Sequence, residues 1–210
     1  MAKEKRRGGG RGRAIELPPP DFAGKCSLEA ALEGRRSVRE FKKGSLPLRV
    51  ASQLLWAAQG VTGEAGDRTA PSAGGLFPLA VLLVAGEVED LPTGTYRYDP
   101  ESHTLSLHIE KDIRPELASA SLGQEWIAVT PISMIFLADY DRTAERYGER
   151  GIRYVDMEVG HAAQNVHLQA AALGLGSVPV GAFHDRAVQE LLELPDNEEP
   201  LYIIPVGRPK

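Results

Sequence analysis

Cysteine and long apolar runs are nearly absent from this sequence. One cysteine, Cys26, occurs among 210 residues, so an intrachain disulfide is excluded and a cysteine metal site is not expected. No stretch approaches the roughly 18 apolar residues that can span a membrane. Arg6 and Arg7 resemble the start of an export signal, but no hydrophobic segment follows them. We therefore expect a cytoplasmic protein without membrane association.

The sequence also lacks the motifs of side-chain catalysis. It contains no HExxH pair, no GxSxG elbow and no P-loop pattern. His161 and His167 are six residues apart, so they do not share a helix face as ligands four residues apart would. We therefore predict no metal site and no catalytic side chain, and we expect a bound cofactor to carry any reaction.

Strong charge of one sign is missing from the chain as a whole. The net charge is only -5, so a nucleic-acid partner is not expected. The first twenty residues differ, because they are basic and glycine-rich and end in three prolines. Such a segment buries too little apolar surface to offset its loss of conformational entropy. We predict a flexible arm over 1–20 and one globular domain over 21–210, with RNA contact by the arm as an alternative.

Residues 151–173 predict a long helix that is apolar over most of its circumference. Gly174 and Gly176 should end it, because glycine adopts the left-handed conformation that helix termini use. The β-prone residues 177–180 follow. The turn Val180-Gly181-Ala182 then leaves backbone exposed at a strand end, where α/β proteins often bind ligands. The apolar positions recur at steps of three and four: Val155, Val159, Ala162, Val166, Ala170 and Leu173.

Three arginines occur within five residues, directly after a short helix predicted over 27–34. They are Arg35, Arg36 and Arg39, with Ser37 among them. Guanidinium groups match the oxygens of a phosphate, and each charge-assisted bond contributes about 1.5 to 3 kcal/mol. The segment predicts an anion site of phosphate size. A solvated basic turn, paired with neighbouring glutamates, is an alternative of similar weight.

Small residues dominate the loop between residues 60 and 75. Its second half, Ala70-Pro71-Ser72-Ala73-Gly74-Gly75, would let a flat ligand approach the backbone, since no bulky side chain intervenes. A surface loop without function is the alternative.

The remaining pattern predicts an α+β fold in which a small mixed sheet is flanked by helices. Apolar or alternating runs indicate strands at 78–84, 95–98, 104–107, 132–138 and 201–206. Periodic runs indicate helices at 47–60, at 112–122 with a continuation to 129, and at 186–194, with a charged connector at 139–150.

Five segments together resemble those of a known family: Arg35–Phe41, Ala70–Pro78, Gly160–Asn165, Ala172–Gly176 and Pro205–Gly207. Their order and separations resemble the nitroreductase family of FMN-dependent oxidoreductases, and most closely its SagB-type dehydrogenase branch, over residues 27–209. The resemblance implies a nitroreductase-like fold and a homodimer. It further implies that a long central helix forms much of the interface and that two FMN sites lie between the subunits.

The resemblance also implies which residues bind FMN. In the family, an arginine-serine motif holds the phosphate and ribityl chain, and a Pro-Ser loop packs on the isoalloxazine of the other subunit. A strand-end turn directs N–H groups at flavin N5 and O4, and a basic residue near the C-terminus returns to the phosphate. The matching residues are Arg35, Arg36, Ser37, Arg39, Pro71, Ser72, Ala73, Gly74, Gly75, Val180, Gly181, Ala182 and Arg208.

Three departures from the family pattern bear on the substrate. Gly75 and Phe77 stand where many nitroreductases carry Asn and Gln, and no Lys-Tyr dipeptide of the azoline oxidases occurs. We also expect none of the additional domains that peptide-processing members often have. We expect ping-pong reduction of a small organic acceptor, with NADH or NADPH as the electron donor. One alternative is a dehydrogenase of azolines or similar substrates, whose flavin is reoxidised by oxygen. Another is a flavin-binding protein without turnover.

Three aromatic residues are candidates for substrate contact: Tyr147, Tyr154 and Phe183. Packing in the core or an interface is the favoured alternative for each.

Overall fold

A computed structural model describes residues 14–64 and 66–210. Within these residues, seven strands form one sheet: β1 Ile15–Glu16, β2 Leu79–Ala85, β3 Gly94–Asp99, β4 Thr104–Ile109, β5 Ile132–Ala138, β6 Gly176–Ser177 and β7 Glu199–Gly207. Their spatial order is β1-β4-β3-β2-β5-β7-β6, and each pair of neighbours is antiparallel. The predicted α+β class is confirmed, although the named strands form an antiparallel rather than a mixed sheet.

Helices cover both faces of the sheet. They are α1 Leu28–Gly34, α2 Leu48–Gln59, α3 Arg114–Ala120, α4 Trp126–Val129, α5 Tyr140–Tyr147, α6 Arg150–Ala172 and α7 Asp185–Leu191. The core on one face includes α2 and α6, and the core on the other includes α3, α4 and α7. α1 and α5 pack on α6.

Strand β2 shows why its sequence is an almost continuous apolar run. Leu79, Val81 and Leu83 face the core that contains α2 and α6, whereas Leu82 and Val84 face the opposite core. A strand covered on both faces has no solvent side, so polar alternation is absent. The strand predicted at 78–84 is therefore confirmed, together with those at 132–138 and 201–206 and the hairpin.

Helix α6 runs for 23 residues, which corresponds to about 34 Å. Val155, Val166 and Ala170 lie on its buried stripe. Its other side is exposed and still carries apolar residues, such as Met157, which is 53% exposed. Gly174 follows the helix with a left-handed φ of 70°. The predicted long helix and its glycine terminus are confirmed.

The chain differs from the predicted flexible arm at residues 14–20. Ile15 and Glu16 pair with Leu105 and Thr104 of β4, and Leu17 is buried. The unpaired backbone groups of an edge strand provide partners for such a segment. Residues 1–13, the rest of that arm, lie outside the described residues.

Two further segments differ from the predictions. The charged connector at 139–150 contains α5, which begins where the Asp139 carboxylate accepts a hydrogen bond from the Arg142 backbone N–H at 3.4 Å. The helix predicted to continue through 112–129 is interrupted, because Leu122 and Gly123 have φ values of 57° and 73°. Local capping and left-handed residues therefore set these boundaries.

The segment after α1 pairs with the far edge of the sheet. Ser37 forms a parallel bridge with Ser177 of β6, and the Val38 N–H donates to the Ser177 carbonyl at 3.0 Å. The strand predicted at 177–180 is shortened to β6, and Val180 forms a separate bridge with Ile203. The arginine segment therefore continues the sheet beyond β6.

This close approach requires a glycine in β6, and it generates a prediction. A Cβ atom at Gly176 would lie 2.7 Å from the Cβ of Val38. We expect Gly176→Ala to lower the free energy of unfolding by about 1–3 kcal/mol, because the added methyl overpacks this contact. Urea unfolding measures the change. The control is Gly34→Ala, where the added methyl meets no atom within 4 Å. Equal stability of the two variants would contradict the prediction.

Candidate functional site

A cavity of about 320 Å³ lies where the arginine segment meets β6 and the end of α6. Arg35 and Arg36 line it, together with His167, Gly176 and Ser177. Two arginines beside Gly174 and Gly176 suit a small anion, because guanidinium forks match phosphate oxygens and the glycines have no side chain. The structure thus brings the first two predicted arginines to one cavity.

His167 lies between Arg35 and Ser177 at this cavity. The Arg35 Nη1 atom is 3.4 Å from His167 Nε2, and the Ser177 Oγ atom is 2.6 Å from His167 Nδ1. Burial, with the nearby Arg35 charge as a second cause, lowers the pKa of His167 to about 4. The imidazole is therefore neutral near pH 7. Sequence reasoning missed this residue, because it considered histidines only as metal ligands or catalytic bases.

Arg36 lines the cavity but also binds backbone carbonyls, whereas Ser37 and Arg39 are not part of the cavity lining. Arg36 donates from Nη1 to the Glu33 carbonyl at 2.6 Å, and Ser37 is exposed. The Arg39 guanidinium lies 5.9 Å from the Trp126 ring centroid, a cation–π distance. The structure therefore keeps Arg39 with α4 rather than with Arg35.

Arg208 returns to the same region from the other end of the described chain. Its backbone carbonyl accepts from the Lys42 N–H at 2.8 Å, and its Nη1 donates to the Ser45 carbonyl at 2.6 Å. Arg208, Lys42 and Arg49 line a neighbouring cavity of about 810 Å³. The two cavities have Gly174, Leu175 and Pro209 in common. Arg208 therefore lines the cavity next to the one that Arg35 and Arg36 line.

The turn Val180-Gly181-Ala182 leaves the sheet beside β7. Val180 and Ile203 exchange two backbone hydrogen bonds, of 2.8 and 3.0 Å. Gly181 and Ala182 are exposed, and within the described residues neither N–H donates to a protein acceptor. A Cβ at Gly181 would lie 3.3 Å from the Tyr202 ring. The turn therefore offers two free donors where the backbone is accessible.

The Pro-Ser loop forms a short 3-10 turn over Ala73–Gly75. Gly74 and Gly75 have φ values of 64° and 65°, and the Ser72 hydroxyl accepts from the Phe77 N–H at 2.9 Å. A Cβ at Gly74 would lie 2.6 Å from the Tyr147 hydroxyl of α5. The left-handed conformation favours glycine at 74, and a larger residue there would also displace the Tyr147 hydroxyl.

Glu158 is a second buried ionisable residue that sequence reasoning missed. It lies on α6, is 3% exposed, and its Oε1 atom has no hydrogen-bond partner within the described residues. Burial raises its pKa to about 7, while the Ser72 hydroxyl and the charges of Arg68 and Arg142 act in the opposite direction. Glu158 therefore lies next to Ser72 of the Pro-Ser loop as a carboxyl that titrates near neutral pH.

The Pro-Ser loop and the arginine cavity do not converge within one copy of the chain. Ser72 is close to Glu158, whereas Arg35 is close to His167. These two α6 residues are nine positions apart, or about 13 Å along the helix axis. The candidate residues thus form two half-sites on one protomer.

The three candidate aromatics take part in packing. Tyr147 and Tyr154 pack edge to face, with ring centroids 5.2 Å apart. Phe183 is partly buried against the core that includes α3 and α7.

Two general features of the described chain bear on partners. None of its helices is long and apolar enough to cross a bilayer. No group of three or more His, Cys, Asp or Glu side chains in the same residues could hold a metal ion.

The buried Glu158 carboxyl predicts a specific dependence of stability on pH. Its pKa is higher in the folded chain than in the unfolded one, so its contribution is complete below about pH 4.5 and is lost as pH rises through about 7. Glu158→Gln cannot titrate. The wild type therefore loses stability between pH 4.5 and about 7, and the Glu158→Gln variant does not. We expect the free energy of unfolding of the variant, relative to the wild type, to increase by on the order of 3 kcal/mol across this pH range. Denaturant unfolding from pH 4.5 to 7.5 measures the difference.

The matched control changes an exposed glutamate on α5, Glu145→Gln, which should leave the pH dependence as in the wild type. A constant difference between Glu158→Gln and the wild type at every pH would show that this carboxyl titrates normally.

Comparison with known proteins shows which chains this one is similar to. A protein of Methanocaldococcus jannaschii with the provisional name of nitroreductase is 46% identical over 94% of this chain and 98% of its own length. A crystal structure from Ralstonia eutropha JMP134, also provisionally a nitroreductase, is 34% identical with a TM-score of 0.84, covering 96% of this chain and 92% of that one.

A third relative, from Bacillus subtilis, is named as an NAD(P)H-dependent FMN reductase. It is 28% identical over 48% of this chain and 46% of its own length. The model of the nitroreductase family matches residues 32–208, which include both half-sites described above. The chain therefore belongs to the nitroreductase family and is an oxidoreductase.

Proposed function

We propose that this oxidoreductase binds FMN, with the phosphate in the cavity lined by Arg35 and Arg36. The observation that carries the proposal is the meeting of these guanidinium groups with the Gly174–Gly176 turn at one cavity. A phosphate monoester carries close to two negative charges, which two arginines neutralise, and Arg208 adds a third positive charge from the adjoining cavity. The donors and the available space fit the cofactor.

The remaining contacts follow from the chain's own groups. FMN, when bound, supplies hydride transfer through its N5 atom. The free N–H groups of Gly181 and Ala182 can donate to acceptors on the edge of the flavin ring. Gly181 also permits close approach, because it has no side chain. Ser37 and Arg39 are proposed to contact the ribityl chain and the pyrimidine edge, which requires Arg39 to leave Trp126.

We further propose that two copies form the complete site. α1 and α6 expose apolar side chains that water does not favour, among them Leu28, Ile152 and Met157. Within one copy, the Pro-Ser loop and the arginine cavity lie at different positions along α6. A flavin bound at the arginine cavity therefore needs a loop from another copy to cover its ring. The Pro71–Gly75 loop of the partner subunit supplies it in this proposal. The homodimer is expected in the cytoplasm.

NADH or NADPH is the proposed electron donor, and a small organic molecule is the proposed acceptor. The B. subtilis relative bears the name of an NAD(P)H-dependent FMN reductase. Donor and acceptor are proposed to use the open face beside the exposed 180–182 turn one after the other. This arrangement supports ping-pong kinetics, with binding and orientation as the protein's contribution.

The SagB-type alternative, oxidation of an azoline or a similar substrate with oxygen as the acceptor, is favoured by one observation. Arg146 and Tyr147 form a basic-tyrosine dipeptide whose side chains both lie against Gly74. Arginine keeps its charge at any working pH, so it can replace lysine as a positive charge but not as a base. Turnover of a heterocyclised peptide with oxygen and without a nicotinamide would select this alternative.

The phosphate placement predicts that purified protein is yellow and that Arg36→Ala weakens FMN binding. We expect a loss of about 10- to 150-fold, because one charge-assisted phosphate contact is removed. Quenching of FMN fluorescence measures the dissociation constant. Arg186→Ala is the control, since the side chain of this arginine is 90% exposed and pairs with Glu190 on α7. Equal affinity of both variants, or a wild type that binds no flavin, would refute the proposal.

The shared site predicts that dimerisation and flavin binding are lost together. We expect Met157→Glu to yield a monomer that retains less than a tenth of the bound FMN, because a charge at an apolar interface is desolvated without a partner. Sedimentation velocity and the flavin absorbance of the same fractions measure both properties. Leu107→Glu adds the same charge at an exposed position of β4 and should change neither. A monomeric variant with full FMN content would exclude the shared site.

A further inference from the structure

We propose that His167 is a positioning residue of the anion cavity. Its neutral imidazole holds the Arg35 guanidinium at the cavity and so makes the site selective for a phosphorylated ligand. The inference rests on the proposed function, since it concerns the same cavity, but it assigns a role to a residue that no catalytic or binding motif of the sequence included.

The hydrogen-bonding capacity of each group fixes the state of the ring. A guanidinium has only donors, so the His167 Nε2 atom that faces Arg35 Nη1 at 3.4 Å must be the acceptor. The proton is then on Nδ1, which donates to the Ser177 hydroxyl at 2.6 Å. Both ring nitrogens are therefore engaged, and one tautomer satisfies both contacts.

Ser177 links this arrangement to the backbone that carries the arginine. Its carbonyl accepts from the Val38 N–H at 3.0 Å, while its hydroxyl binds the His167 ring. Ser177 therefore fixes the position of the backbone after Arg35 and also the orientation of the His167 ring that contacts Arg35. Ordering the long arginine side chain before the ligand arrives reduces the entropy lost on binding.

A neutral partner leaves the arginine's charge available to an anion. No carboxylate within 4.0 Å pairs with Arg35 in the described part of the chain. A carboxylate would orient the guanidinium equally well but would cancel much of its field at the cavity. An imidazole that only accepts a hydrogen bond orients the side chain without neutralising it.

The environment keeps the ring in this neutral state. His167 is 4% exposed, and burial together with Arg35 lowers its pKa to about 4. Arg36 lines the same cavity and adds positive charge on that side. Protonation would turn Nε2 into a donor that faces another donor, so the contact with Arg35 requires the unprotonated ring.

The Ser177–His167 pair is not arranged as a nucleophile and base. Ser177 is only 1% exposed, so a substrate carbonyl cannot reach its hydroxyl. The ring nitrogen nearest the hydroxyl carries the proton, so it cannot accept the hydroxyl proton. The pair is therefore suited to holding a side chain in place.

Three substitutions test the hydrogen bonds of the His167 ring to Arg35 and to Ser177 one at a time. His167→Gln places an amide oxygen near the position of Nε2, where it can accept from Arg35. His167→Asn is shorter and can reach only Ser177. His167→Leu removes both contacts at similar bulk. The matched control is His161→Asn, at an exposed position of the same helix.

The probes are FMN, riboflavin, which lacks the phosphate, and inorganic phosphate. We expect His167→Asn and His167→Leu to weaken FMN binding about tenfold and riboflavin binding less than twofold, because one oriented hydrogen bond to a charged group is lost. His167→Gln should recover FMN affinity to within about threefold of the wild type. In an Arg35→Ala background, His167→Asn should cause no further loss of FMN affinity.

Several results would overturn the inference. Equal losses of FMN and riboflavin in His167→Asn would show a role in folding only, and unchanged FMN affinity would show no role. Failure of His167→Gln to exceed His167→Asn would exclude the contact with Arg35. Thermal unfolding of each variant identifies any that do not fold. If either His167→Asn or His167→Leu does not fold, the other one, compared with His167→Gln, decides the question through the FMN-to-riboflavin ratio.

Failure of the proposed function gives a different result. The wild type could bind no flavin and still be stabilised by inorganic phosphate. If that stabilisation is lost in His167→Asn and kept in His167→Gln, FMN binding is refuted and the positioning role is supported. A wild type that responds to neither flavin nor phosphate would overturn both.

Discussion

The structure depends on the backbone pairing that joins the arginine segment to the far edge of the sheet. Ser37 and Val38 pair with Ser177, and a few residues later Phe41 forms an antiparallel bridge with Pro209. These contacts join parts of the chain that are up to 168 positions apart. Without them, the positive charges of the motif would lie in a solvated turn, which was one alternative for the sequence. With them, the charges occur at a defined cavity.

Helix α6 connects the two half-sites and carries a buried ionisable side chain in each. His167 is a neutral base beside the arginines, and Glu158 is an acid next to the Pro-Ser loop whose pKa is raised to about 7. In both cases burial is the leading cause, since a charged form is costly where water is excluded. At neutral pH the His167 side chain therefore adds no charge to the arginine half-site. The fixed charges come from the loops and the chain ends.

Much of this could be predicted from the sequence, and the exceptions have physical reasons. The strand at 78–84 and the helix at 151–173 have strong periodic or continuous apolar signals, and both were found. β1 was missed because a two-residue edge strand carries almost no pattern and depends on the free edge of β4. His167 and Glu158 were missed because their roles arise from burial and from partners that are distant in sequence. The roles of the thirteen candidate FMN residues remain predictions.

The position of β7 has a consequence for how the protein is made. β7 lies between β5 and β6, although both precede it in the chain, and the residues after it pair with the segment at 40–42. During synthesis on a ribosome, the gap between β5 and β6 stays open until residues 199–209 emerge from the exit tunnel. Such late, long-range pairing leaves the neighbouring strands exposed while translation continues. The anion cavity is therefore among the last parts of the molecule to form.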